Sequence, residues 1–125
     1  MIAWPERLLG AAAGLAGVLG VALSAAAVHS GAGQTLETSA RFLMFHAPAL
    51  IGLVALIATG TVRPVLGRLA GGALVVGLAL FSGDLAVRAF YGVPLLPMAA
   101  PTGGVVLMLG WLLAGAAAVF PRRLA

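Results

Sequence analysis

Four long apolar stretches, separated by short polar or proline-rich breaks, dominate the pattern of this chain. The stretches cover residues 8–28, 42–60, 69–90 and 103–120, and the breaks read HSGAGQTLETSAR, TVRPVLGR and YGVPLLPMAAPT. A helix that crosses a bilayer needs about 20 mainly apolar residues, and its backbone groups must be hydrogen-bonded internally. Short connections make consecutive helices antiparallel neighbours. The pattern therefore predicts an all-α, up-down four-helix bundle in a membrane, formed by a single domain over residues 1–125.

The first apolar stretch is also compatible with a secretory signal peptide. Arg7 precedes the stretch, and the small-residue sequence SAAAVHSGA follows it, as at a signal cleavage site. However, the apolar core of a signal peptide has about 7–15 residues, and this stretch is longer. We therefore expect the first stretch to remain as a membrane-spanning helix.

The composition agrees with a protein whose main solvent is lipid. Hydrophobic residues make up 62% of the 125 residues and charged residues only 8%, whereas about a quarter of the residues in a soluble domain are charged. The net charge of +4 comes from seven arginines spread along the chain, which is too little for a nucleic-acid interface. The chain contains no cysteine, so disulfides, thiolate metal ligands and thiol catalysis are excluded.

The positions of the arginines predict the orientation in the membrane, because the cytoplasmic flanks of spanning helices are enriched in Arg and Lys. With four spans, both termini and the second connection share one side. That side carries five arginines and the other side two. We therefore expect both termini in the cytoplasm. The five are Arg7, Arg63, Arg68, Arg122 and Arg123, and the two are Arg41 and Arg88.

Many of the 18 glycines lie inside the apolar stretches. Gly10, Gly14 and Gly17 lie near one face of the first stretch, and Gly67 and Gly71 repeat the four-residue spacing near the start of the third. In lipid, small residues allow close approach of helix backbones. We expect these faces to pack within the monomer, and a dimer interface is the alternative.

Asp84 and Arg88 are the two charged residues within the third stretch. Their acid-before-base order at a spacing of four favours an ion pair on a helix. Asp84 precedes Phe90 by six residues, which is about 9 Å along a helix axis. Ionisable groups at such a depth usually face the bundle interior.

Other polar groups are predicted at the same, non-cytoplasmic end of the bundle. We expect a cluster that fixes the helix register, binds a ligand or relays protons. Its predicted members are His29, His46, Asp84, Arg88 and Thr102. The predicted start of the fourth helix at Gly103 and Gly104, together with Arg88, forms a candidate site for an anion or a lipid headgroup, since helix N-termini attract anions.

Metal binding and catalysis have weaker signals. His29, His46 and Asp84 have chemistry suited to zinc or copper, but they come from three separate stretches without a diagnostic ligand spacing. We therefore expect no metal and no cofactor. Ser82 and Thr102 lack a recognisable base or oxyanion site in the sequence, so we expect no enzymatic activity.

The order of AAAVH, FLMFHAPALIGL, LFSGDL and APTGGVVLMLGW resembles the domain-of-unknown-function 423 family, small bacterial inner-membrane proteins related to eukaryotic transmembrane protein 256. The resemblance runs from the first stretch to Trp111 and implies four membrane helices in a bacterial inner membrane, with no settled activity. This chain has Phe42-Leu43 where relatives tend to have Tyr-Gln. It also has Asp84 where many relatives carry an uncharged residue, so the resemblance implies that any role of Asp84 would be specific to this chain.

Together, these observations favour a structural or accessory membrane protein, or a subunit of a larger complex, whose partners are the lipid bilayer, other membrane subunits or a second copy. The alternative is a small channel or carrier for protons, ions or a solute, because buried Asp and His residues can relay protons. Against the alternative, the cytoplasmic halves of the predicted spans contain no ionisable group.

Overall fold

The computed structural model describes residues 1–120, which form four α-helices joined by short connections. Each helix is long and apolar enough to cross a membrane. Within residues 1–120, the prediction of an all-α fold with four helices apolar enough to span a membrane is therefore confirmed. Two arginines of the predicted cytoplasmic side, Arg122 and Arg123, lie outside the described residues. The helices are α1 (Trp4–His29), α2 (Gly33–Ala58), α3 (Pro64–Tyr91) and α4 (Ala99–Val119).

Each helix begins earlier than the apolar stretch that predicted it, and prolines explain three of the four starts. Pro5, Pro64 and Pro101 all lie within the first turn of their helices. A proline is tolerated there because the first N–H groups of a helix have no intrahelical acceptor. At the other end of α3, Gly92 ends the helix in the left-handed conformation, with φ of 71°.

The four helices pack mainly as sequence neighbours, with α2 and α3 at the centre. α1 packs on α2, α2 on α3 and α3 on α4, while α1 also touches α3. Two apolar clusters of Leu, Ala, Val and Ile side chains fill the interior. The first cluster includes Leu9, Ala70 and Ala117, and the second includes Leu50, Leu74 and Leu107.

Glycines bring α3 and α4 into close backbone contact. A methyl group on Gly77 would lie 2.8 Å from the backbone nitrogen of Leu107, and one on Gly103 would lie 2.5 Å from that of Phe81. A side chain at Gly77 or Gly103 would therefore push the two helices apart. A methyl group on Gly110 would first meet the side chain of Leu74, at 2.9 Å.

The glycines of the first stretch pack differently from our expectation. Methyl groups on Gly10 and Gly14 would meet no atom within 4 Å, whereas one on Gly17 would contact Ala47 at 3.8 Å. The prediction of packing within the monomer is therefore wrong for Gly10 and Gly14. Instead, α1 contacts α2 closely at Gly20, which lies against Met44.

Candidate functional site

Asp84 is the centre of a buried hydrogen-bond network near the end of α3. Its side chain is fully buried and lies 2.8 Å from Nε of Arg88, one turn further on. The other carboxylate oxygen accepts the backbone N–H of Leu95 at 2.7 Å, and the carboxylate also lies beside the backbone N–H of Ala100. Asp84 therefore ties the connection between α3 and α4, and the first turn of α4, to α3.

The prediction that α4 starts at Gly103 and Gly104, on which the candidate anion site depended, is wrong, because α4 begins four residues earlier, at Ala99. Both glycines therefore lie within the helix, and Gly103 is buried against α3. The start of α4 has no capping side chain from its own N-cap residue, Met98. Asp84 supplies the negative charge that favours a helix N-terminus.

Two serines connect α2 and α3 next to this network. The hydroxyl of Ser39 donates to the carbonyl of Ser82 at 2.7 Å, and the hydroxyl of Ser82 donates to the carbonyl of Ser39 at 3.2 Å. Both side chains are buried. Such interhelical bonds fix helix register in an apolar environment.

His46 is buried between α2 and α4 with both ring nitrogens engaged. Nδ1 lies 2.7 Å from the carbonyl of Phe42, and Nε2 lies 3.2 Å from Nε1 of Trp111. Because a tryptophan N–H can only donate, Nε2 of His46 is the acceptor and Nδ1 carries the proton. The His46–Trp111 bond links α2 to α4.

A groove runs beside this bond along the side of the bundle between α2 and α4. In the half of the bundle that contains Asp84, the groove widens into a cavity of about 550 Å³. Its walls are apolar and aromatic, and Val105, Met108 and Trp111 at its edge are about half exposed or more. The lining includes Phe42, His46, Phe81, Gly104, Met108 and Trp111.

The five residues of the predicted polar cluster do not form one network. Asp84 contacts Arg88, while His46 binds Phe42 and Trp111. His29 is exposed at the end of α1, where Nδ1 bonds to the carbonyl of Ala25 in the same helix. Thr102 is exposed in the first turn of α4. Within residues 1–120, no group of three or more His, Asp or Glu residues is arranged to hold a metal ion.

The opposite end of the bundle contains an ion pair that the sequence analysis missed. Arg68 of α3 donates through Nε to Oε1 of Glu6 in α1 at 2.7 Å. Glu6 is only 2% exposed, and its second oxygen has no hydrogen-bond partner among the described residues. We expected the helices to contain no ionisable group at this end of the bundle. That expectation is wrong, because Glu6 lies in α1 and Arg68 in α3.

One sequence signal could have placed Glu6 inside α1. Proline followed by an acidic residue is typical of a first helical turn, and Trp4-Pro5-Glu6 has this pattern. The partner residues Arg68, Ser39 and Trp111 had no comparable signal, because each contact depends on how two separate helices pack.

A comparison with protein-family models matches residues 14–104 to a family described as "Protein of unknown function (DUF423)". The match covers most of α1, all of α2 and α3 and the first turn of α4. It therefore includes Asp84, His46 and both serines of the α2–α3 contact. No solved structure matches the chain.

Proposed function

This chain belongs to the DUF423 family, and we propose that it is an accessory membrane protein that assembles laterally with other membrane helices. We place it in a bacterial inner membrane as an up-down bundle with both termini in the cytoplasm. The excess of arginines at the termini and the second connection supports this orientation. Gly17 lies against Ala47 and Gly20 against Met44, so α1 and α2 run in opposite directions, which supports the up-down arrangement. Gly77 against Leu107 and Gly110 against Leu74 give the same result for α3 and α4.

The single observation that carries this proposal is that few residues of the two outer helices, α1 and α4, are buried within the chain. In the most apolar part of each helix, 17% of the residues of α1 and 22% of those of α4 are buried, against 44% for α2 and 39% for α3. Gly10 and Gly14 lie on α1 with open space beside them. In lipid, such small-residue faces allow another helix to approach closely.

The hydrogen bonding of the buried polar groups supports a structural rather than a catalytic role. In the described part of the chain, every buried side-chain nitrogen or oxygen except Oε2 of Glu6 has a partner. The hydroxyls of Ser39 and Ser82 donate to carbonyl groups and not to a base. A serine nucleophile needs an adjacent base, so we propose that these residues fix helix register and that the protein is not an enzyme.

The alternative, a channel for protons or ions through one chain, receives less support. The Glu6–Arg68 pair and the Asp84–Arg88 pair lie at opposite ends of α3. Between them lie the two clusters of leucine, alanine and other aliphatic side chains. An ion path through these clusters would leave the ion without polar ligands.

Purification in a mild detergent, followed by identification of every bound protein, tests the accessory role. We expect a stoichiometric membrane partner, or a second copy, to remain bound to the wild-type chain. Gly14→Leu fills the open face of α1 and should release it. Val28→Leu changes a residue of the same helix that is 80% exposed, and it should not. A wild-type chain that purifies alone and monomeric from native membranes would contradict the proposal.

A further inference from the structure

We propose that the groove between α2 and α4 binds a lipid-soluble ring compound that carries a carbonyl or hydroxyl group on the ring. This is the chemistry of an isoprenoid quinone and its quinol. The proposal goes beyond the accessory role and does not depend on it.

The size and lining of the groove fit a planar ring. Its volume of about 550 Å³ lies within the range of about 300–1,000 Å³ that is typical of small-molecule pockets. Phe42 and Phe81 lie with their ring centroids 4.4 Å apart, and the ring of His46 stacks on Phe42 at 6.0 Å. Trp111 extends this row of rings, 5.8 Å from His46. Aromatic faces favour a planar ring as a neighbour.

The polar groups of the groove match both forms of such a compound. The bond from Trp111 Nε1 to His46 Nε2 is 3.2 Å, at the long end of the usual range of about 2.7–3.2 Å. A ring carbonyl can replace His46 as the acceptor for the Trp111 N–H. A ring hydroxyl can donate to Nε2 of His46, which is the acceptor nitrogen of the tautomer whose Nδ1 donates to the carbonyl of Phe42. Among residues 1–120, no charged residue lines the groove, which favours an uncharged ligand.

The groove is open to the bilayer, which gives such a compound its route. Val105 and Met108 at its edge are 53% and 61% exposed. A ring can therefore enter sideways from the membrane while its apolar tail remains among the lipid chains. Gly104 lines the wall, where a methyl group would meet Phe81 at an ordinary contact distance of 3.9 Å. A larger side chain at Gly104 would therefore fill the groove without displacing a backbone.

The fluorescence of Trp111 tests the proposal directly, since the chain has only two tryptophans. Trp4→Phe leaves Trp111 as the only reporter, and Trp111→Phe leaves Trp4, which lies at the far end of α1. Each variant is reconstituted in lipid nanodiscs and titrated with a ubiquinone analogue that has a short saturated tail. We expect saturable quenching of Trp111, whereas Trp4 should show only a proportional decrease from collisions in the bilayer.

Two further variants in the Trp4→Phe background locate the effect. Gly104→Leu should abolish the saturable quenching, while Gly115→Leu, on the same helix but outside the groove and with no atom within 4 Å of an added methyl group, should retain it. Quenching of Trp111 that is proportional like that of Trp4, or that survives in Gly104→Leu, would overturn the proposal. Equal competition by a saturated ester with the same tail would also overturn it, because the site would then hold an acyl chain only.

Discussion

Replacing Asp84 with alanine should destabilise the protein more than removing the charge of its partner Arg88. The substitution leaves the backbone N–H of Leu95 without its acceptor, beside a position that is fully buried. An unsatisfied buried donor costs about 1–3 kcal/mol. We therefore predict a loss of about 1–3 kcal/mol in the free energy of unfolding.

The ion pair joins a fully buried carboxylate to an arginine whose side chain is 44% exposed. Arg88 donates to Asp84 through Nε, and the amide nitrogen of glutamine stands at the same position along the side chain. Arg88→Gln can therefore keep a hydrogen bond to the carboxylate and leaves the N–H of Leu95 bonded, so it should cost less than Asp84→Ala. Asp84→Asn should lie between them, since its amide oxygen can still accept the N–H of Leu95.

Unfolding in detergent micelles with increasing fractions of sodium dodecyl sulfate measures these differences. The matched control is Glu37→Gln, which removes the acid of an i, i+4 pair with Arg41 whose two side chains are 55% and 60% exposed. We expect the control to cost about 0.3–0.5 kcal/mol. Equal losses for Asp84→Ala and Arg88→Gln would refute the reasoning, because the carboxylate would then act through the ion pair and not through the backbone.

Three further predictions concern helix packing and orientation. Gly77→Ala should lower the free energy of unfolding by about 1–3 kcal/mol through overpacking against backbone, whereas Gly115→Ala has open space and should be neutral or slightly stabilising in the same assay. Ser39→Ala and Ser82→Ala should each cost about 0.6 kcal/mol and should add in the double variant, because each hydroxyl binds the other residue's backbone; a large coupling energy would contradict this. Thr61→Cys, in a chain without native cysteine, should react with a membrane-impermeant maleimide only after cells are opened, and reaction in intact cells would reverse the proposed orientation.

The number and type of the helices could be predicted from the sequence because lipid imposes a simple rule. A stretch of about 20 apolar residues bounded by polar residues or prolines has few alternatives to a spanning helix. The helix starts were less accurate, because Pro64 and Pro101 were assigned to connections although a proline fits the first helical turn. As a result, Gly103 and Gly104, which were predicted at the start of α4, lie inside the helix.

The candidate site was only partly predictable, for a different physical reason. The pairing of Asp84 with Arg88 follows from spacing within one helix, and the structure contains it. The contacts of His46 with Trp111 and of Glu6 with Arg68 join residues 65 and 62 positions apart. These contacts depend on the rotation of each helix about its axis. In a chain this rich in Ala, Gly, Leu and Val, too few polar residues mark the buried face of each helix to predict that rotation.

The two proposed activities use different surfaces, and this separation makes them independently testable. The open glycine face lies on α1, whereas the lining of the groove comes from α2, α3 and α4 alone. α1 reaches the rest of the bundle through α2 and α3, so a partner seated on Gly14 need not contact the groove. Gly14→Leu should therefore release a protein partner without changing the quenching of Trp111. Gly104→Leu should do the reverse, and a variant that abolished both signals would indicate that the ligand and the partner share one interface.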